Sequence, residues 1–209
     1  ITPEASALEG SLESRNRNDI TDRYPELGGL GRALGSREAI LDGEIVAFDE
    51  QGRPSFQRLQ GRMNLASEAA VRRRMAQFPV VYVIFDVIHL EGRSRIALPY
   101  TERRALVEDL GLQGESWQTP GWHRGDGAAM LQARRERELE GVIAKRVDSR
   151  YEPGRRSGAW LKIKNQRRQE LVIGGWLPGE GRRRERIGAL LVGYYDALPE
   201  EARERGEPQ

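Results

Sequence analysis

The sequence predicts an α+β fold of antiparallel sheet with flanking helices, and three observations lead there. Short β-branched and aromatic runs mix with helical patterns without the regular strand–helix–strand beat of a parallel sheet. Hydrophobic residues make up 38% of the 209, enough for one modest core. The polar run Asn165 to Glu170 reads as a hinge, and the chain beyond it is purely strand-like.

The elements follow in order. Leu12 to Ser14 reads as the end of a strand, and Tyr24 to Leu34 as a short helix weakened by Gly28, Gly29 and Gly31. Ile40 to Phe48 is a strand closed by the turn Asp49-Glu50-Gln51-Gly52. Ser55 caps a short helix running to Gly61, and Ser67 caps another with Glu68 in its first turn. Val80 to Leu90 carries apolar residues on both faces, the pattern of a central buried strand. Thr101 is the expected cap of a helix ending at Leu110, with Gly111 as its left-handed stop, and Asp126 that of a helix running to Glu138. Leu139 to Lys145 and Ala159 to Lys164 are strands joined by a Pro/Gly/Arg loop. Leu171 to Trp176 and Gly188 to Tyr195 are strands with a polar segment, Gly179 to Arg186, between them. Two strands do not make a stable domain, so this second domain is expected to be only a beginning.

Composition excludes several classes. There is no cysteine, which removes disulfides and thiolate zinc sites, and with His89 and His123 as the two histidines a His-rich metal centre is not expected. No run reaches the roughly 18 apolar residues of a membrane span. Ile1 to Gly10 has neither the basic region nor the apolar stretch of a signal peptide. A soluble, cytoplasmic, monomeric protein with no membrane partner is the default expectation. The formal net charge is +2, but from Arg155 to Arg186 ten basic residues face three acidic ones. Such a local excess fits a phosphate-backbone binder, or a solvated arginine-rich surface.

Lysine is rare where arginine is abundant: Lys145, Lys162 and Lys164 are the three lysines among 34 basic residues. In a strand, residues two apart share a face. Lys162 and Lys164 in Trp160-Leu161-Lys162-Ile163-Lys164 therefore point the same way, with Leu161 and Ile163 expected buried opposite. Two ammonium groups that close repel unless an anion such as a phosphate sits between them; the alternative is an exposed edge guarded against aggregation. Glu140, at the mouth of the strand Gly141-Val142-Ile143-Ala144-Lys145, is a carboxylate of the kind that shares Mg²⁺ with substrate phosphates, or a solvated strand end. In Leu41-Asp42-Gly43-Glu44 the glycine inside a strand points to close approach of a ligand or another backbone. There Glu44 is a candidate acceptor for ribose hydroxyls. Phe85 is a core aromatic or a ring that stacks on a base.

Taken in order, Ser14-Arg15-Asn16, LDGEIV at 41–46, VIFDV at 83–87, EGVIAKR at 140–146, Tyr151-Glu152-Pro153-Gly154-Arg155-Arg156 and WLKIK at 160–164 resemble the motif series of ATP-dependent DNA ligases. The likeness is greatest to the ligase module of multi-domain bacterial end-joining ligases, and it covers about Gly10 to Asp196. The resemblance implies a nucleotidyltransferase (ATP-grasp-like) adenylation domain over residues 1–166 and the first strands of an OB-fold over 167–209. It implies three transfers. A lysine takes AMP from ATP, AMP passes to a 5′-phosphate, and a 3′-hydroxyl seals the nick while AMP leaves. By motif position, Arg15 is implied to reach the nucleotide and the nick phosphate, Glu44 the ribose, and Phe85 the adenine. Glu140 is implied to hold Mg²⁺ or Mn²⁺, and Arg156, Lys162 and Lys164 the phosphates. Arg182, Arg183 and Arg184 are expected on DNA. The implied partners are nicked or broken duplex DNA and a Ku-like end-binding protein.

The family's Lys-x-Asp-Gly motif is absent from these 209 residues, as are its later OB-fold motifs. The chain is therefore expected to be a fragment, with the nucleophile encoded just upstream of Ile1, and inactive in self-adenylation as it stands. Two other readings remain: a catalytically dead nucleotide- or DNA-binding remnant, and a sister RNA ligase or capping-type nucleotidyltransferase.

Overall fold

The computed structural model describes residues 10–63, 65, 67–125, 127–136 (133–136 by backbone alone), 141–155, 157–164 and 171–194. The chain divides into two compact units, 1–165 and 166–209.

The first unit is organised by one strand. β2 (Val80–Leu90) pairs antiparallel with β1 (Ala39–Ala47) along its whole length. Its other edge takes the two-residue strands β3 (Arg93–Ser94), antiparallel, and β4 (Trp117–Gln118), parallel. Both short strands are too brief to leave a periodic trace in sequence. One face of this sheet forms the core: Ile84, Val87 and Leu90 of β2 pack with Leu30 of α1 (Gly29–Leu34), Val107 of α4 (Tyr100–Asp109), Leu110 and Leu112. Each such side chain contributes about 1.5–3 kcal/mol on full burial. A second cluster, Tyr24, Leu27, Ala47 and Val80, closes the other end. Beside it the buried Arg62 forks onto Glu26 at 2.6 and 3.1 Å and donates to the carbonyls of Phe78 and Arg23.

Local signals are realised at α2 (Phe56–Gln60) and α3 (Glu68–Gln77), where the Ser55 and Ser67 hydroxyls accept from the amides of Arg58 and Ala70. They are not at Thr101. α4 begins one residue earlier behind Pro99, and Thr101, inside the first turn, donates both its amide and its hydroxyl to the Val147 carbonyl. Leu12 to Ser14 is not a strand end either. Glu13 makes a single bridge to Asp19 around a tight turn, closed by Ser14 and Asn18 bonding each other. Residues 25–34 split into a 3-10 turn, Pro25–Gly28, and α1. Of the helix expected after Asp126, α5 (Gly127–Glu136) is described, and Asp126 lies outside the described residues.

A second, two-stranded sheet joins β5 (Gly141–Lys145) antiparallel to β6 (Trp160–Lys164). The described residues of the other unit form a hairpin of β7 (Val172–Pro178) and β8 (Ile187–Gly193), with Arg182, Arg183 and Arg184 exposed in the connection.

What ties the first unit together is a buried ion pair. Arg103 of α4 donates to both Asp86 carboxylate oxygens, at 2.7 and 2.9 Å, with both side chains fully buried. Its remaining nitrogen reaches the carbonyls of Leu98 and Ser149. Removing one partner of such a pair strands the other charge. Arg103→Met is expected to destabilise the protein by about 3–5 kcal/mol in urea unfolding, and Arg103→Met with Asp86→Leu to recover most of that loss. A single-variant cost below about 1 kcal/mol would show that the pair does not hold the fold.

Candidate functional site

The sheet has a polar face as well as a core face, and their separation begins with register. β2 spends eleven residues where β1 spends nine. The surplus is two bulges: pairing jumps from His89 to Val87 opposite Ile40 and Leu41, and from Asp86 to Ile84 opposite Asp42 and Gly43. Phe85 is thus the extra residue of the second bulge. A bulge bends the strand and re-aims its side chain, which leaves Phe85 half-buried between the fully buried Ile84 and Asp86.

Gly43 sits opposite this bulge, and its lack of a side chain has an internal cause. A Cβ there would meet the Tyr82 ring at 2.5 Å and the Val83 carbonyl oxygen at 2.6 Å. The close approach expected at this glycine is thus filled by the neighbouring strand and its tyrosine, not by a ligand. Tyr82 lies across the gap and donates to the Leu41 carbonyl at 3.1 Å.

Alternation along β1 puts Asp42 and Glu44 on one face, opposite the core residues Leu41 and Ile45. Asp42 stands directly across from Asp86, and like charges so paired repel. Each carboxylate has its own remedy. Asp86 takes Arg103, and Asp42 accepts a 2.7 Å hydrogen bond from the Tyr151 hydroxyl. Burial holds the Asp42 carboxyl above its usual range, with the Tyr151 bond pulling the other way; Asp86 adds to the rise and Lys145 opposes it. Glu44 is exposed further along the same face.

The second sheet supplies the bases. Cross-strand pairs Lys145–Trp160, Ile143–Lys162 and Gly141–Lys164 place Lys145, Lys162, Lys164 and Trp160 on one face. Lys162 and Lys164 therefore point together, as their spacing predicts. Leu161 and Ile163 lie opposite, but they are not buried: the two residues are 55% and 37% exposed. A two-stranded ladder has no third layer of its own to cover that side. Gly141 permits the ladder to close, since a Cβ there would meet the Ile163 carbonyl oxygen at 2.7 Å.

Aromatic rings join the two polar faces. Trp160 meets Phe85, Tyr100 and Tyr151 edge-on, at centroid separations of 5.9, 6.4 and 5.8 Å. The Lys145 ammonium lies over the rings of Trp160, Phe85 and Tyr100, at 3.6, 4.1 and 4.7 Å. Burial lowers its pKa to about 8, against the raising fields of Asp86 and Asp42.

The structure thus brings Phe85, Lys145, Trp160 and the Lys162/Lys164 face together beside Asp42. Arg15 is exposed at the 14–18 turn and makes no ion pair among the described residues. Glu140 and Arg156, the expected metal and phosphate residues, lie outside the described residues, as do 165–170. Among the described residues no cluster of three or more His, Asp or Glu gathers as a metal site. Tyr100, Arg103 and Trp160 were not legible as site residues. One signal was present: Arg103, Val107 and Leu110 form a helical stripe at i, i+4 and i+7, a charged residue in an apolar row.

Comparison with known proteins gives a consistent result. The family described as "ATP dependent DNA ligase domain" matches residues 8–164. The multifunctional non-homologous end joining protein LigD of Mycobacterium bovis is 41% identical over 182 residues, 87% of this chain and 22% of that protein. A probable DNA ligase of Streptomyces avermitilis is 38% identical, over 87% of this chain and 36% of its own. Among solved structures, mycobacterial DNA ligase D complexed with ATP and MES superposes with a TM-score of 0.66 at 37% identity, covering 90% of this chain and 56% of that one. The ligase domain of M. tuberculosis LigD gives 0.62 at 38%, over 88% and 55%. The chain therefore spans well under two thirds of these relatives.

The Tyr151–Asp42 bond joins residues 109 apart in sequence. Tyr151→Phe is expected to cost about 1.5 kcal/mol, the lower end for a hydrogen bond to a charged group. It also raises the Asp42 pKa further by removing the one bond that opposes burial most. An acid whose folded pKa exceeds its unfolded value destabilises the fold above the folded value, and that penalty fades as pH falls from the folded value to the unfolded one. The stability difference between parent and variant in urea should therefore be largest near pH 7 and shrink in acid. A difference that stays constant with pH would mean that Asp42 is not the group affected.

Proposed function

Because this chain belongs to the family of ATP-dependent DNA ligase domains, we propose that its first unit is the adenylation module of a DNA ligase acting in repair by end joining. The substrates are ATP and nicked or broken duplex DNA, and a Ku-like end-binding protein is the recruiting partner. What supports the nucleotide site is the placement of a half-buried aromatic, Phe85, on a bulge beside a strand face that carries Lys162 and Lys164. A ring that is part-exposed stacks on a base, and a pair of ammonium groups on one face binds phosphates. Glu44, exposed on the polar face of β1, takes the ribose, and Arg15 and Arg156 complete the phosphate contacts.

Glu140 would hold magnesium or manganese together with the nucleotide's own phosphates, an arrangement that needs few protein oxygens. The metal, when bound, would supply charge neutralisation at the transferring phosphate. This chain's residues supply position: catalysis of phosphoryl-type transfer rests chiefly on alignment and electrostatic stabilisation. Residues 167–209 are read as the first strands of an OB-fold, whose Arg182, Arg183 and Arg184 contact DNA phosphates.

None of the three lysines serves as the nucleophile. Lys162 and Lys164 act as cationic clamps, and a clamp stays protonated whereas a nucleophile must lose its proton. The Lys145 nitrogen is shielded from solvent by rings. The 209 residues therefore bind ATP without capturing AMP.

Incubated with ATP radiolabelled at the α-phosphate and Mg²⁺, the chain is expected to remain unlabelled in denaturing gels. Calorimetry is expected to show reversible ATP binding that Phe85→Ala weakens by about 1–3 kcal/mol, with circular dichroism unchanged. An acid-labile AMP adduct would reassign the lysines, and equal ATP affinity in Phe85→Ala would remove the stacking role.

DNA binding is expected to be sequence-independent, with log affinity falling against log salt by about 0.9 per phosphate contact. Replacing Arg182, Arg183 and Arg184 together with alanine should flatten that slope. An unchanged slope would leave those arginines as solvated surface.

A further inference from the structure

Lys145 is a charge with no conventional partner. Its ammonium nitrogen is buried and has no hydrogen-bond acceptor. A buried polar group left in this way is costly, and a methionine or leucine would fill the same volume more cheaply. What the amine has instead is three ring faces, those of Trp160, Phe85 and Tyr100, all within 4.7 Å of the nitrogen.

The three rings come from different elements: β6, the β2 bulge and the start of α4. Phe85 is also the residue that the bulge frees from ordinary strand alignment. A ring aimed by a bulge alone keeps rotational freedom. A cation seated over one of its faces fixes its tilt and leaves the opposite face for a base.

Resting on the nucleotide site proposed above, we propose that Lys145 is a positioning residue of that site: its caged ammonium locks the Phe85 ring in the stacking orientation and couples it, through Trp160, to the strand bearing Lys162 and Lys164. The attraction of a desolvated ammonium to ring faces is strong enough for this. The cation touches neither base nor phosphate in this role; it acts through Phe85.

The groups facing the ammonium define its titration. Asp42 of β1 and Asp86 of β2 favour its charge, and Arg103 and Arg104 of α4 oppose it. The Tyr100 and Tyr151 hydroxyls are pushed above their ordinary value by burial. Among these neighbours the lysine is the group that discharges just above neutrality, at about pH 8. Neutral amine loses the cation–π attraction, so the lock loosens as pH rises.

The test is ATP affinity of the 209-residue chain by calorimetry at pH 7 and pH 9, for the parent, Lys145→Met, Lys145→Arg and Phe85→Ala, each with a urea midpoint. Parent affinity should fall roughly tenfold between the two pH values, the scale of one desolvated cation–π contact. Lys145→Met should bind weakly at both. Lys145→Arg, which keeps its charge at pH 9, should show no fall, and it rescues the pH profile even if its absolute affinity is lower. A merely structural lysine would shift the urea midpoint and leave the pH dependence of binding in place, which overturns the proposal. Tighter ATP binding by Lys145→Met would also overturn it, by showing that the amine occupies the face the base needs. Parent-like affinity in Phe85→Ala would instead defeat the stacking site itself, whereas loss of affinity in Phe85→Ala with unchanged Lys145 variants defeats this inference alone.

Discussion

The bidentate contact between Arg103 and Asp86 is the constraint on which the first unit depends. β1 and β2 bring two carboxylates, Asp42 and Asp86, face to face across a ladder. That register is unfavourable on its own terms, and it is tolerated because a guanidinium from α4 takes both oxygens of one of them. The same guanidinium donates to the carbonyls of Leu98 and Ser149, so it also fixes the start of α4 and the loop after β5. The rings of Tyr100 and Tyr151 lie over it at 5.8 and 5.7 Å. A buried pair of this kind is a modest source of net stability but a severe penalty for any arrangement that separates its members. It therefore selects one docking of helix on sheet.

The consequences run outward from that pair. With Asp86 neutralised, Asp42 is left to Tyr151, whose hydrogen bond draws the 151–155 loop onto β1. Tyr151 in turn meets Trp160, and Trp160 meets Phe85, so one polar network and one aromatic network share their members. Lys145 sits where they overlap. The polar face of β1 and β2 and the basic face of β5 and β6 thus meet through the rings of Phe85, Tyr151 and Trp160.

The bulge at Phe85 is the second device. It costs the sheet one ladder position, and Gly43 on the facing strand makes the cost small by admitting the Tyr82 ring and the Val83 carbonyl where a side chain would stand. In return an aromatic residue is set half outside the core, between two fully buried neighbours. A regular strand would put Ile84 and Val87 on opposite faces; the bulge at Phe85 brings both to the core face.

Much was fixed locally. Strand and helix order follow from hydrophobic period, the caps at Ser55 and Ser67 from side chains bonding to the next turn, and the common face of Lys162 and Lys164 from the two-residue repeat of a strand. The ordered motifs identified the family, because each is a contiguous string. Tertiary structure decided the rest, and for one physical reason: it turns on partners far apart in sequence. Whether Gly43 makes room for a ligand or for Tyr82 depends on register with β2, and whether Leu161 and Ile163 are buried depends on what packs against a two-stranded ladder, where they are exposed. Thr101 lies inside the helix that starts behind Pro99, and its hydroxyl bonds instead to the carbonyl of Val147, 46 residues away. A lysine reads the same in sequence whether it faces water or rings, and only the meeting of β5, β6, α4 and the β2 bulge made Lys145 a caged cation.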